Sequence, residues 1–287
     1  MTILAAAACG LVIGLVLGAL GGGGSILAVP ALVYVLGQSA QEATTTSLIV
    51  IGLSSIIGAL SYHRDRHVRW GVGLAFGVVG IVASCGGTVL NRNASDTTLL
   101  ASFAAVMAVS SVAMIVRAWR HDDPAMAADV VPATPTHFGS DTTVMVKTKR
   151  ATKARSKIRP RTAVQVVVSA LLVGFLTGFL GVGGGFIVVP ALVMLLGYPM
   201  PVAAGTSLFI ITLNSAASLG LHADAGLDLD PQIIIPFTAA TVVASLAGKR
   251  IASKCSSRTL TLAFAMVLLL VAVGIGAEVA VSHLAAN

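Results

Sequence analysis

Charge is what this chain has least of. Only 10% of its 287 residues are Asp, Glu, Lys or Arg, where a soluble domain carries about a quarter. A soluble fold so poor in charge would precipitate. Aromatic residues make up 5%, and there are three cysteines, Cys9, Cys85 and Cys255. Their spacing fits neither a metal site nor a disulfide framework, and Cys9 and Cys85 fall inside apolar runs, where they read as small apolar fillers. Catalytic machinery is missing as well, since no nucleophile stands near a base. The glycine-rich stretches lack the Lys-Ser/Thr of a P-loop and the strand-turn-helix frame of a dinucleotide site. The chain is therefore expected to be no enzyme, with no catalytic residue, no metal and no cofactor.

Hydrophobic residues, by contrast, make up 56% of the chain, and the mean hydropathy is +0.94. Apolar stretches of about 18 to 22 residues recur, the length a helix needs to cross a hydrocarbon layer of about 30 Å. The lipid bilayer is thus the expected solvent, and the fold class an all-α integral membrane protein. The 30 glycines suit helices that associate by close backbone approach. A formal charge of +7 would suggest nucleic acid in a soluble protein. Here the basic residues lie between apolar runs and orient the chain in the membrane, so no nucleic-acid partner is expected. Residues 1–20 resemble a secretory signal in their apolar run and the alanines at Ala5 to Ala8. They lack a basic leading region, and their pattern returns in the second half, so they read as a membrane helix.

The chain repeats itself. At an offset of 160, Gly18 to Gly58 aligns with Gly178 to Ser218 without a gap, with about 19 of 41 positions identical. GALGGGGSILAVPALVYVLG answers GFLGVGGGFIVVPALVMLLG, and Thr46-Ser47-Leu48 answers Thr206-Ser207-Leu208. At offset 161 the match continues with VASCGG from Val82 against VASLAG from Val243. Each half reads as an apolar run (3–20 or 163–180), a glycine cluster, a short run (25–36 or 185–197) and three longer runs. Those lie at 43–61, 70–90 and 98–118, and at 203–221, 231–248 and 259–280. The expected units are a first transmembrane repeat at 1–118, a linker at 119–162 and a second repeat at 163–287. The linker is polar and ends in eight basic residues from Lys147 to Arg161, which fit a flexible cytoplasmic anchor or a contact with anionic lipid headgroups.

Basic residues gather in Ser61–Arg69, in the linker and in Lys249–Arg258, which the positive-inside rule places in the cytoplasm. The loop His222–Asp230 holds three aspartates and no Lys or Arg, so it falls outside, although its repeat partner is an inside loop. Equivalent loops on opposite sides mean two repeats inserted upside down relative to each other. Each half must then cross an odd number of times. Three long helices supply three crossings, and the opening pair of runs reads as a re-entrant hairpin, because a helix from Ser25 to Leu36 would be only about 18 Å long. Both termini fall outside.

The cluster Gly21–Gly24 should break its helix, at a cost of about 1 kcal/mol per glycine against alanine. Backbone released in this way inside hydrocarbon needs cover from protein or a watery cavity. A short helix starts directly after each break, offering unpaired N–H groups and a positive dipole end to an anion. If inversion brings the two breaks together, one anion meets two helix N-termini without any formal charge. The candidate substrate-binding residues are Gly22, Gly23, Gly24, Ser25, Thr46 and Ser47 in the first half. In the second they are Gly183, Gly184, Gly185, Thr206, Ser207 and Asn214. Against this stand tight helix packing for the glycines and ordinary capping for the Thr-Ser pairs. Pro30 and Pro190 are expected to kink the short helices. Glu42, His63 and His222 lie at span ends, where solvated side chains are usual.

At the two glycine clusters leading into Val-Pro-Ala-Leu, each followed by the Thr-Ser step, the chain resembles the sulfite exporter TauE/SafE family of bacterial permeases. The resemblance covers both halves and omits the linker. It implies a multi-pass protein of the inner cell membrane, a secondary transporter exporting a small sulfur-containing anion such as sulfite, thiosulfate or an organosulfonate. Two rival readings are an anion channel sharing the same site and a non-transporting membrane scaffold in which the glycines only pack helices.

Overall fold

The computed structural model describes residues 2–91, 96–120, 160–180, 185–222 and 231–286. The glycines Gly183 and Gly184, most of the linker and the loop 223–230 lie outside the described residues. Most of what is described is helical, with no strand among these residues. The first half holds α1 (Thr2–Leu20), α2 (Gly24–Pro30), α3 (Ala40–Arg64), α4 (Trp70–Asn91) and α5 (Asp96–Arg120). The second holds α6 (Pro160–Leu180), α7 (Gly185–Met194), α8 (Met200–His222), α9 (Pro231–Ala252) and α10 (Ser257–Ala286). Seven of these, α1, α3, α4, α5, α8, α9 and α10, are long and apolar enough to cross a membrane.

Polarity is turned inside out relative to a soluble protein. Leu4, Val12, Val109 and Leu270 point outward, whereas Ser54, Ser55, Ser111, Thr206, Ser207 and Thr241 are fully buried. Lipid accepts the first group, and the second is shielded from it by neighbouring helices. Three of these hydroxyls, those of Ser111, Ser207 and Thr241, bond a carbonyl. Ser111 donates across to Ala265 O of α10 at 2.8 Å, and Thr241 donates to Phe237 O at 2.7 Å.

The two halves are interlocked rather than side by side. Gly10, Gly14 and Gly18 of α1 face, in that order, Phe237, Thr241 and Ser245 of α9, so the two helices run parallel. Gly174 and Gly178 of α6 face Gly80 and Ser84 of α4 in the same sense. These are the same contacts under the repeat correspondence. The first helix of each half packs along the fourth helix of the other, and each approach is so close that an added Cβ would meet backbone. Glycines spaced by four line one helical face and permit that approach.

The pair α3 and α8 shows how the halves are related. Gly52 faces Ser215, and Gly58 faces Leu208, so these equivalent helices run antiparallel. A two-fold axis relating antiparallel helices lies perpendicular to both. In helices that span a bilayer such an axis lies in the membrane plane, as inverted repeats require. These three pairs, α1 with α9, α4 with α6 and α3 with α8, have relative directions consistent with the charge-based topology.

After the first break the chain turns back. Gly24 sits against Ile13 and Leu17 of α1, and Ala28 and Leu32 join Ala6 and Ile13 in one apolar cluster. The opening pair of runs is therefore a hairpin. Pro30 cannot donate a backbone hydrogen bond, and there the α-helix gives way to a π-helical turn over Ala31–Val35. Pro190, by contrast, lies inside α7, which continues to Met194. The two short helices differ in burial, since α7 is buried from Gly185 to Val193 while in the equivalent stretch Pro30 is exposed and Leu27, Val29 and Val33 are half-buried.

One end of the bundle gathers the basic loops. Lys249 pairs with Asp65, and the Met200 amide donates to Ser257 Oγ at 3.1 Å. Trp70 and Trp119 stand at the same end, as aromatic side chains do at a membrane boundary. Tyr198 lies there too. Burial raises its phenol above the ordinary value, and the Arg69 guanidinium works against that shift.

Gly18→Val should lower stability by about 1–3 kcal/mol, because its Cβ would run into the Ser245 backbone. Gly71→Ala, whose Cβ meets nothing within 4 Å, should stay within about 0.5 kcal/mol of the parent. Thermal unfolding in detergent checks both. Equal midpoints for the two variants would contradict the interlocked packing.

Candidate functional site

The glycine breaks meet. Gly22 lies against the carbonyl of Gly185, and Ser25 Oγ would stand 2.7 Å from a Cβ placed on Gly185. Ser25 and Gly185 are repeat equivalents, so their contact marks where the two-fold axis passes. Gly185 also faces Ile211, at the middle of α8. The junction is therefore central in the bundle. The first amides of a helix have no carbonyl within their own helix, and here two such ends converge.

The four glycines of the first cluster do different jobs. Gly21, at φ +80°, takes a left-handed conformation that turns the chain, and its open face meets Ala204 and Ser207 of α8. Gly22 faces Gly185 of the other half. A Cβ on Gly23 would meet the Phe264 ring at 3.2 Å, and one on Gly24 would meet Ile13 O at 2.6 Å. Packing thus accounts for Gly23 and Gly24, while Gly21 and Gly22 sit at the junction.

The hydroxyls are largely engaged. Ser25 Oγ donates to Gly22 O at 2.7 Å, Ser47 Oγ to Thr44 O at 2.7 Å and Ser207 Oγ to Ala204 O at 2.8 Å. Each must rotate before it donates to a ligand. Thr206 points elsewhere, its Oγ1 accepting the Arg69 amide at 3.2 Å. Thr46 is buried on the second turn of α3. Capping does not explain Thr46-Ser47, because Ser39 caps α3 in a reciprocal box with Glu42. His63 Nδ1 accepts from Trp70 Nε1 at 3.0 Å.

Asn214 occupies a separate place. It lines a cavity of about 100 Å³ with Ser84, Thr177, Val188 and Ser215, among α4, α6, α7 and α8. Its Oδ1 is buried without a partner. A water occupies about 30 Å³ in the liquid, so the space suits a few waters or one small oxyanion. The side-chain amide presents a donor or an acceptor depending on which way it is turned. Residues missed from sequence are the cavity's Ser84 and Thr177. Only the small-residue spacing of α4 and α6 hinted that those helices meet.

Among the described residues no group of three or more His, Cys, Asp or Glu is close enough to hold a metal. The arrangement offers amides, hydroxyls and one carboxamide, a neutral donor set. Such groups suit a desolvated anion held by hydrogen bonds rather than by a fixed countercharge.

The family model for the sulfite exporter TauE/SafE matches residues 6–275, and the chain belongs to that family. It is similar to a protein named probable membrane transporter protein from Xylella fastidiosa (strain Temecula1), at 29% identity over 71% of this chain and 70% of that protein. It is also similar to the probable membrane transporter protein YunE of Bacillus subtilis (strain 168), at 25% identity over 76% and 77%. No solved structure matches. The protein is accordingly a multi-pass membrane transporter and not an enzyme.

The uneven jobs of the glycines give a sharp contrast. Gly22→Ala, which forces the two breaks apart, should cost about 1–3 kcal/mol, whereas Gly23→Ala, which asks only that the Phe264 ring shift, should cost under about 1 kcal/mol. Unfolding midpoints of the two variants measure this. The reverse order would place the junction elsewhere.

Proposed function

We propose that the protein is a secondary transporter that exports a small sulfur-containing anion, such as sulfite, thiosulfate or an organosulfonate, by alternating access. The single observation supporting the site is the convergence of the two helix breaks, Gly22 against Gly185 with Ser25 between them. The anion, entering from the side of the basic loops, reaches the opening amides of α7 and then leaves through the Asn214 cavity past the carboxamide and the hydroxyls of Thr177 and Ser215. Ser207, beside Gly21, and Ser47, at the equivalent place, turn from their own helices to donate to it. Thr46 remains a donor candidate on this reading, Thr206 is committed to the Arg69 amide instead, and Gly183 and Gly184 lie outside the described residues.

Hydrogen bonds without a fixed charge favour a transporter. A buried lysine would hold the anion too tightly to release it, while amides and hydroxyls bind it and let it go. The basic loops face the cytoplasm, where their field raises the local concentration of anions before export. Inverted repeats supply two related arrangements in which the same central site opens to one side or the other. The channel reading shares the site and differs in rate.

Reconstituted in vesicles, the protein should carry labelled sulfite or thiosulfate with saturable kinetics. Asn214→Ala and Ser207→Ala should each reduce the initial rate about tenfold to a hundredfold, the worth of a hydrogen bond to a charged group. Unsaturable currents would favour the channel. Unchanged flux in both variants would remove the site.

A further inference from the structure

The scaffold is two-fold symmetric, but its interior is not. In the half of the bundle farther from the basic loops, Phe76, Ser84, Asn214 and Ser215 border the open cavity. Their repeat equivalents are Phe237, Ser245, Ser54 and Ser55. Phe76 is as buried as Phe237, and the difference lies at Ser84 and Asn214, which are half-buried where Ser245 and Ser54 are at most 2% exposed. The hydroxyls of Ser54 and Ser55 are buried there without a partner. A lone buried hydroxyl is costly. Asn214 Oδ1 is likewise unpartnered but borders the cavity, so the Ser54 and Ser55 side reads as the same space closed.

A cluster whose lysine has no counterpart in the other half stands over the closed side. Lys249 Nζ lies 2.6 Å from Asp65 Oδ2, donates to Ser61 O at 2.6 Å and sits 5.4 Å from the Tyr62 ring centroid. Tyr62, 3% exposed, donates through its hydroxyl to Gly18 O at 2.9 Å. Gly18 itself packs on Ser245, three residues ahead of the helix break. Lys249 thus ties α9 to the α3 end, and Tyr62 ties α3 to α1. Those three helices line the side that is shut. At the repeat position of Lys249 the other half has Thr88, which only bonds back to Ser84 O.

We infer that Lys249, Asp65 and Tyr62 form a latch that closes the basic-face half of the pathway, and that the structure is the state open toward the opposite face. The latch also provides its own release. Arg64, Lys249, Arg250 and Asp65 line an outer basin of about 410 Å³ directly over the pair. A small oxyanion entering this basin competes with Asp65 for the Lys249 ammonium. Once the anion replaces the carboxylate, α3 is freed from α9 and the Tyr62 bond to Gly18 is left unsupported. This deepens the transport reading and rests on it for the identity of the anion, but the latch itself is testable with no anion present.

The test reads the accessibility of two equivalent positions. In a background with Cys9, Cys85 and Cys255 replaced by alanine, Ser84→Cys and Ser245→Cys report the two halves of the pathway to a membrane-impermeant maleimide. With the latch intact, the first should label from the far face and the second should be protected. Asp65→Asn should raise labelling at position 245 from the basic face about tenfold, a usual size for a coupling between sites, and slow labelling at 84. Asp65→Glu should restore protection. If Asp65→Asn does not yield folded protein, Tyr62→Phe carries the same expectation. Equal labelling at 245 with and without the latch, in a folded variant, overturns the inference. Absence of anion flux alongside a working latch would instead overturn the proposed function.

Discussion

Backbone amides released from a helix inside hydrocarbon have no water to turn to, and that constraint organises this protein. Each half breaks its first helix at a glycine cluster, and neither break is tolerable in contact with lipid. The structure covers the first with the other half. The break after α1 is roofed by α7 and α8, where Gly22 meets Gly185 and Gly21 meets Ala204 and Ser207. The interlocking of the halves follows, because α1 reaches α7 only by lying along α9 of the second half, and α6 makes the equivalent journey along α4.

Close approach does the work that hydrophobic exclusion does in water. Lipid tails are as apolar as leucine, so helices gain from one another chiefly through contact and hydrogen bonding. Gly14 and Gly18 set α1 on α9 at backbone distance, and Gly174 and Gly178 repeat this for α6 on α4. The hydroxyls that accompany them, Thr241 and Ser245, satisfy themselves on their own helices and leave the crossing free of unpaired groups. A glycine in such a crossing and a glycine in a break look alike in composition but serve opposite ends, one preserving a helix and the other ending it.

Much of this was legible in the residues. Long apolar runs with no charge admit little besides spanning helices, and each expected run has its helix within a few residues. The two short helices begin at Gly24 and Gly185, where the glycine clusters end. Basic residues, counted loop by loop, gave a topology whose helix directions agree with all three packed pairs. What could not be read was partnership across the chain. Nothing local in Gly23 says that Phe264 will sit above it, or in Thr206 that the Arg69 amide will take its hydroxyl. Contacts between residues well over a hundred positions apart depend on how the halves interlock, and the repeat fixes which helices are equivalent without fixing which ones touch.

A symmetric scaffold cannot by itself be open on one side, so the sequence must break the symmetry somewhere. The glycine clusters and the Thr-Ser steps are kept alike in both halves, and the difference falls on the helix ends, where Lys249 stands against Thr88. The placement is physically apt. An ion pair in the bundle's middle would raise the cost of every state, because two desolvated charges seldom recover their hydration. At the mouth, with the Lys249 side chain 15% exposed and Asp65 47% exposed, the pair keeps part of its solvent and contributes only modestly. A bond of that size biases two conformations without freezing either, since shifting a balanced pair of states to about ten to one takes about 1.4 kcal/mol. A stronger clasp would hold the pathway shut against its own substrate. Because the cationic member of the pair faces a basin lined with further cations, an arriving anion is drawn to the group whose partner it must displace.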